Sequence, residues 1–259
     1  MTDTRLLKET PWETRNLGFP SYALRPEFFD APDFPGLEGE MRSLIAARGR
    51  LFVSARLGKQ HLAQVPELQA LGFYLVECSV SPVMVLGKNT VLLRFEREPE
   101  AFIPGRYSPG ELEFTTPAEK SGTWTGALAP LAAGSFSDDR FHLDHRCPPE
   151  LADRRFAYWI ADLLGDPAAV FHLLRLRGEL IGFCARKGDH PVVAGFGRGR
   201  TTSGLGEYFW LSICRAAKTE GLPSLRTQVS CNNLPSLNLC ARIGFRFTDT
   251  AYTFHLWRG

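Results

Sequence analysis

The chain has 259 residues, enough for one large or two small domains with a substantial buried core. Apolar residues make up 44% and charged residues 22%, ordinary globular usage, and no apolar run approaches the ~20 residues of a membrane span, which points away from a membrane protein. A net charge of +2, with the basic residues dispersed, gives no footprint for nucleic acid.

The first residues, Met1 to Arg5, lead into polar sequence without the apolar core of a secretory signal, so a cytoplasmic location is expected. Alternation over Leu51 to Leu57 predicts a strand, Pro66 to Leu71 closes a helix, and Gly72-Phe73 opens an extended run, Tyr74 to Val80. Leu225 to Val229, Pro235 to Ile243, Gly244-Phe245 and Tyr252 to Trp257 repeat that order. The match is consistent either with a duplicated fold or with a common α/β unit, since glycine caps helices in the left-handed conformation and phenylalanine enters the core. With Gly72-Phe73 placed over Gly244-Phe245, His61 falls opposite Asn233 and Leu68 opposite Cys240, so the copies share a frame but not their polar residues.

Pro104, Gly105, Pro109 and Gly110 break regular structure and place a linker at 99–110, between domains at 1–98 and 111–259. Beyond it, Glu111 to Thr115 reads as a strand, and Gly126 to Phe136 and Arg154 to Leu164 as helices. Val170 to Leu176 and Leu180 to Arg186 flank Arg177-Gly178-Glu179 as a hairpin, and Val192 to Gly197 follows as a third strand. A helix over Leu205 to Thr219 precedes the final strand, helix and strand.

The six cysteines stand singly, with no CxxC pair, and are read as reduced thiols; no metal site is expected. His172 falls in an apolar strand and is read as a core or surface histidine. The segment Gly197-Arg198-Gly-Arg200-Thr201-Thr202-Ser203-Gly204-Leu205-Gly206 runs from a strand directly into a helix. Gly204 and Gly206 let a backbone approach phosphate oxygens, and the helix N-terminus adds free N–H groups, although such loops also serve only to turn the chain. No Gly-Lys-Ser/Thr follows, and hairpins rather than crossovers precede the loop, so neither a Walker A motif nor a dinucleotide fold is indicated.

That loop resembles the acyl-CoA pyrophosphate loop of the GCN5-related N-acyltransferases, Gln/Arg-x-x-Gly-x-Gly/Ala, with Gly204 and Gly206 at the small positions and Thr201 at the Gln/Arg position. Asn232-Asn233 followed by a helix and Arg242-Ile-Gly-Phe245 is similar to a later segment of the same family. Over nearly the whole chain, Pro11-Trp-Glu-Thr-Arg-Asn-Leu-Gly18, Leu68 to Glu77, Ser135 to Phe141 and Arg155 to Trp159 resemble the two-domain dTDP-fucosamine acetyltransferases. The resemblance implies an α/β (α+β) fold with a mixed, mostly antiparallel sheet flanked by helices, preceded by a smaller degenerate copy.

It also implies acetyl-CoA or another acyl-CoA as co-substrate, with Gly197, Arg198, Arg200, Thr201, Thr202, Ser203, Gly204, Leu205, Gly206, Asn233 and Ser236 at the cofactor. The implied reaction is acyl transfer to a primary amine of a small molecule by direct attack, the acceptor a nucleotide-linked amino sugar, an amino acid or a natural-product amine. Cys240 stands where this class carries a tyrosine that protonates the departing thiolate. It is either that acid or an apolar filler, and Tyr252 is a substitute donor. Phe136, Asp138, Arg140, His142 and Asp144 lie where the superfamily builds its acceptor site; His142, Asp144 or His145 would serve as base, or the stretch is a solvated loop. An oxyanion would meet a strand N–H near Gly197 or Arg198. The competing expectation is a CoA-binding or regulatory module without transferase activity; a homodimer is allowed for.

Overall fold

The computed structural model describes residues 5–120, 124–133, 135–197 and 204–259. In chain order the elements are β1 (Leu7–Glu9), α1 (Pro11–Leu17), β2 (Ser21–Leu24), α2 (Phe34–Arg48), β3 (Leu51–Gly58), α3 (Val65–Ala70), β4 (Tyr74–Val85), α4 (Thr90–Arg97), β5 (Leu112–Thr115), α5 (Trp124–Ala133), α6 (Pro149–Gly165), β6 (Ala169–Leu176), β7 (Glu179–Lys187), β8 (His190–Phe196), α7 (Gly206–Thr219), β9 (Ser224–Arg226), β10 (Val229–Ser230), α8 (Leu234–Arg242) and β11 (Arg246–Arg258). The expected elements are present. The run Leu225 to Val229 is, however, divided into β9 and β10, and the last strand is longer than expected.

The chain divides into two compact units: Met1–Ser79 with Ser137–Arg155 and Asp249–Gly259, and Val80–Phe136 with Phe156–Thr248. They interleave along the sequence, and do not follow the single boundary expected at 99–110. The physical reason is the last strand, which takes its ladder partners from β3, about two hundred residues upstream in sequence, in place of a strand of its own half.

In the first unit the sheet runs β1-β2-β3-β11-β4. Strand β2 pairs parallel with β3, and β3 pairs antiparallel with β11 from Leu51↔Arg258 to Gly58↔Ala251. Successive side chains point to opposite faces. Leu51, Val53, Ala55 and Leu57 therefore join Phe254, Leu256 and the α2 residues Leu37 and Met41 in one core. On the other face Phe52 packs with Phe141, Cys147 and Ala152 of the 137–155 segment. A central strand buried on both sides reads as the continuous apolar run seen in the sequence.

The second unit holds an antiparallel sheet in the order β5-β6-β7-β8. The hairpin turn puts Arg177 at φ 53° and Gly178 at φ 80°, two consecutive left-handed residues that match the twist of the flanking strands. One face carries Phe171, Leu173, Phe183 and Ala185 against Leu128, Phe156, Ile160 and Leu163. The other carries Leu174, Ile181 and Cys184 against Phe209, Ile213 and Cys214 of α7, with Met84, Leu92, Phe95, Cys240 and Phe245 completing the core. His172 is fully buried with its ring stacked on Phe114 and Nδ1 2.8 Å from Thr116 Oγ1; burial, with Arg186 beside it, holds the ring at about 4, and it is neutral at physiological pH. All six cysteines are free thiols.

Helix α8 ends on Gly244 at φ 88°, where only glycine is relaxed. Asn89 locks this end to α4: its Oδ1 caps α4 through the Leu92 N–H at 2.7 Å, and its Nδ2 donates to the carbonyls of Ile243 at 3.0 Å and Gly244 at 3.2 Å. Asn89→Ala removes a cap and leaves buried carbonyls unpaired, and should lower stability by ~2–4 kcal/mol in chemical denaturation. Asn89→Asp, which caps but cannot donate, should recover less than half of that; a full recovery would show that the carbonyl bonds contribute nothing.

Candidate active site

In the second unit β8 and β9 belong to different sheets. At one end the strands are joined: the Arg226 N–H donates to the Asp189 carbonyl at 3.0 Å, Thr227 Oγ1 donates to the Pro191 carbonyl at 2.9 Å, and His190 Nδ1 lies 2.9 Å from the Arg226 carbonyl. Beyond that point no ladder joins them among the described residues. Strand β8 is the edge of the four-stranded sheet, and β9 pairs antiparallel with β4 from Val83↔Arg226 to Val85↔Ser224.

The far end of β8 is held by α5 and the turn after it. Ser135 Oγ makes hydrogen bonds with the Phe196 carbonyl at 2.6 Å and the Leu131 carbonyl at 2.5 Å, and a Cβ on Gly195 would stand 2.8 Å from it. The Gly197 N–H donates to the Ile181 carbonyl at 2.9 Å, so it continues the β7–β8 ladder and is already engaged, not free to meet an oxyanion. Arg198, Arg200, Thr201, Thr202 and Ser203 lie outside the described residues.

Gly204, Leu205 and Gly206 lead directly into α7, as expected. Both glycines have packing reasons of their own. A Cβ on Gly204, at φ +77°, would stand 3.1 Å from Pro104 Cγ, and one on Gly206 would stand 3.1 Å from Leu239 Cδ2 on α8. Leu205 stands at the N-cap of α7 and makes no side-chain cap there. Asn233 caps α8 by accepting the Ser236 N–H at 3.0 Å, so both residues have a structural task at the start of that helix.

Cys240 is only 3% exposed and belongs to the core formed with α7. Burial pushes its thiol up to about 12. An ordinary thiol ionises near ~8.5, so proton transfer from this group to a leaving thiolate would run uphill, and the setting favours the apolar-filler reading. Tyr252 packs against the core of the first unit.

The expected acceptor residues are divided. Phe136 belongs to the second unit and stacks on Phe156 with centroids 4.0 Å apart. Asp138, Arg140, His142 and Asp144 belong to the first, where the stretch is a packed cluster more than a solvated loop. Arg140 pairs with Glu13 of α1, itself only 3% exposed; the other oxygen of Glu13, Oε2, has no hydrogen-bond partner among the described residues. The signal for Glu13 was in the sequence, inside the Pro11 to Gly18 segment, but nothing local marks it as buried. His142 pairs through Nδ1 with Asp139, and its Nε2 lies 3.2 Å from Asp153; burial lowers the pKa of the ring, yet the two carboxylates carry it above its ordinary value. Asp138 is bonded to Ser137 Oγ at 3.3 Å, and His145 is exposed with its ring 5.1 Å from that of Tyr74.

Asp144 is 2% exposed. Its oxygens accept the Tyr74 hydroxyl at 2.6 Å, His255 Nδ1 at 2.7 Å, Trp257 Nε1 at 2.7 Å and the Arg146 N–H at 2.9 Å. Burial would raise this carboxyl, but the bonds from His255, Tyr74, the Arg146 backbone and Trp257 outweigh it and hold it at about 2. A carboxylate so engaged has little basicity to offer an amine. His255 is fully enclosed, and burial lowers its pKa despite Asp144.

Two expectations follow. An unfolded chain takes up a proton on His255 below about pH 6.5 and on Asp144 below about pH 4, while the fold resists both, so stability falls as pH drops through these ranges toward 2. The thermal midpoint should decline from pH 7 to pH 3, and Asp144→Asn should lower it at pH 7 while flattening the acid limb; a pH-independent midpoint would contradict this. Cys240→Ala should cost ~1–2 kcal/mol through a small cavity and leave turnover per folded molecule intact, whereas loss of turnover with full folding would restore Cys240 as the acid.

No family model matches the chain. It is 22% identical over 173 residues, 64% of this chain and 54% of the relative, to the spore coat polysaccharide biosynthesis protein SpsD of Bacillus subtilis (strain 168), so the chain spans about half the length of that curated relative. Among solved structures, a GCN5-related N-acetyltransferase from Sphaerobacter thermophilus is similar over 93% of this chain and 73% of its own, with a TM-score of 0.59 and 14% identity. A tandem GNAT protein of the clavulanic acid biosynthesis pathway is similar over 93% and 76%, with a TM-score of 0.60 and 12% identity. A GCN5-related N-acetyltransferase from Kribbella flavida is similar over 91% and 80%, with a TM-score of 0.53 and 14% identity. The order of strands and helices, the helix that starts at the glycine loop and these likenesses agree: the chain has the fold of the GCN5-related N-acetyltransferases.

Proposed function

We propose that the protein transfers an acyl group from acyl-CoA to a primary amine of a small molecule. The observation that carries this reading is the glycine-bearing start of α7 in a unit where, among the described residues, no ladder joins β8 to β9, within a fold shared with acetyltransferases. Edge carbonyls and N–H groups of β8 suit the amide-rich pantetheine arm, and a helix N-terminus suits a phosphate.

The amine nitrogen attacks the thioester carbonyl carbon and forms the C–N bond. The tetrahedral oxyanion then collapses, the C–S bond breaks, and the electron pair leaves on sulfur. The ammonium proton goes to solvent or to the thiolate, so that the products are an amide and free CoA. The chain contributes mainly position: the α7 end orients the phosphates, and the fixed β8 edge orients the acyl arm. With the Gly197 N–H in the ladder and the Cys240 thiol high, neither an oxyanion donor nor an acid is assigned to these two groups.

For the acceptor we infer a nucleotide-linked amino sugar. The support is the partial likeness to a protein named for polysaccharide biosynthesis, together with the segment resemblances at Pro11 to Gly18 and Ser135 to Phe141. Among the described residues no helix is long and apolar enough to cross a membrane.

CoA at about one hundred times its dissociation constant should stabilise the protein by ~2.7 kcal/mol and raise the thermal midpoint. Thiol release from acetyl-CoA should rise at least tenfold when a dTDP-linked amino sugar is added. Stabilisation by CoA without amine-stimulated release from a panel of amino sugars, amino acids and polyamines would leave a binding module and overturn the transferase reading.

A further inference from the structure

Two acceptors buried in the first unit have no donor. Asp144 takes the proton on His255 Nδ1 at 2.7 Å, which leaves the opposite ring nitrogen, Nε2, as an acceptor. His255 is fully enclosed, and its Nε2 has no hydrogen-bond partner among the described residues. Glu13 is 3% exposed; Oε1 pairs with Arg140, and Oε2 is likewise without a partner among the described residues.

The two groups are neighbours. Phe141 has the Arg140 guanidinium 4.9 Å from its ring centroid and the His255 ring 5.2 Å from it. Glu13 and Arg140 are both among the charges that act on the imidazole. Phe52 flanks the same imidazole edge-on at 4.8 Å, so its aromatic neighbours supply no donor. Ser54, opposite His255 in the β3–β11 register, gives its hydroxyl proton to the Tyr22 carbonyl at 3.5 Å.

Two acceptors cannot satisfy each other, and a buried acceptor left unpaired weakens a fold. Burial lowers the pKa of His255, so the ring does not resolve the shortage by taking a second proton and donating it to Glu13. Moving its single proton to Nε2 would only transfer the loss to Asp144. What fits is a small neutral molecule with two donors.

We propose that an internal water molecule is bound between His255 Nε2 and Glu13 Oε2 and donates one O–H to each. It closes a chain of hydrogen bonds that runs from Tyr74 and Trp257 through Asp144, His255, the water and Glu13 to Arg140. The buried carboxylate of Asp144 and the guanidinium of Arg140 are then fixed by one network. The acyl-CoA reading above has no part in this assignment.

The test is a crystal structure of the wild-type protein at a resolution that orders internal waters, together with nitrogen NMR of the histidine-labelled protein near neutral pH. A water should stand about 2.7–3.2 Å from both atoms. The spectrum should show His255 protonated on Nδ1, with an unprotonated Nε2 shifted by an accepted hydrogen bond. In thermal unfolding, Glu13→Met and His255→Phe should each lower the midpoint, and the double variant should lower it by clearly less than the sum, because either change alone already releases the shared water. A direct contact between His255 and Glu13, no ordered water between them, a proton on Nε2, or strict additivity of the two substitutions overturns the proposal. Where a variant does not fold, the crystal structure and the spectrum of the wild-type protein decide.

Discussion

A carboxylate removed from water must be surrounded by donors or it will not stay charged, and Asp144 shows what meeting that demand does to a fold. Its donors come from three stretches of chain far apart in sequence: Tyr74 on β4, the Arg146 backbone beside it, and His255 and Trp257 on the last strand. His255 and Trp257 are on one face of β11 while Phe254 and Leu256 enter the core on the other. The period-two alternation therefore serves two purposes at once: one face buries apolar area, and its opposite holds a charge. Replacing any donor leaves part of that charge uncompensated, which costs more than a lost hydrogen bond between neutral groups.

The second unit solves a different problem. Its four-stranded sheet is covered on both faces, so the sheet can expose backbone only at its edges, and β8 is one of the two. An open edge invites a strand to pair with it. Here β9 is committed to β4 instead, and bonds at residues 189–191 and 226–227 tether the two strands at one end only.

Much of this was legible in the sequence, and for local reasons. The hairpin at Arg177-Gly178, the left-handed glycine after α8 and the helix beginning beyond Gly204 each depend on a few adjacent residues. The interleaving of the units was not legible, because β11 alternates in the same way whichever strand it pairs with. The polar stretch from Asp138 to His145 misled for the same reason. Its composition is that of an exposed loop, and only the return of the C-terminal strand encloses Asp144, while α1 supplies Glu13 to Arg140. Glu13 itself sits in a helix of mixed polarity, and its burial is a property of what packs over it.

Motif glycines carry a more general difficulty. Gly204 and Gly206 match a phosphate loop, yet a Cβ on either would also press on Pro104 or Leu239 at 3.1 Å. A glycine required by packing and a glycine required by a ligand look alike in sequence, and even in structure the first requirement does not exclude the second. What separates them is the polar inventory nearby. Here α7 begins with an apolar residue at the cap, and the acid of its first turn is tied to Arg242. A helix N-terminus whose first-turn carboxylate is already engaged suits an anion, and this, more than the spacing of the glycines, favours a phosphate-bearing co-substrate at the loop.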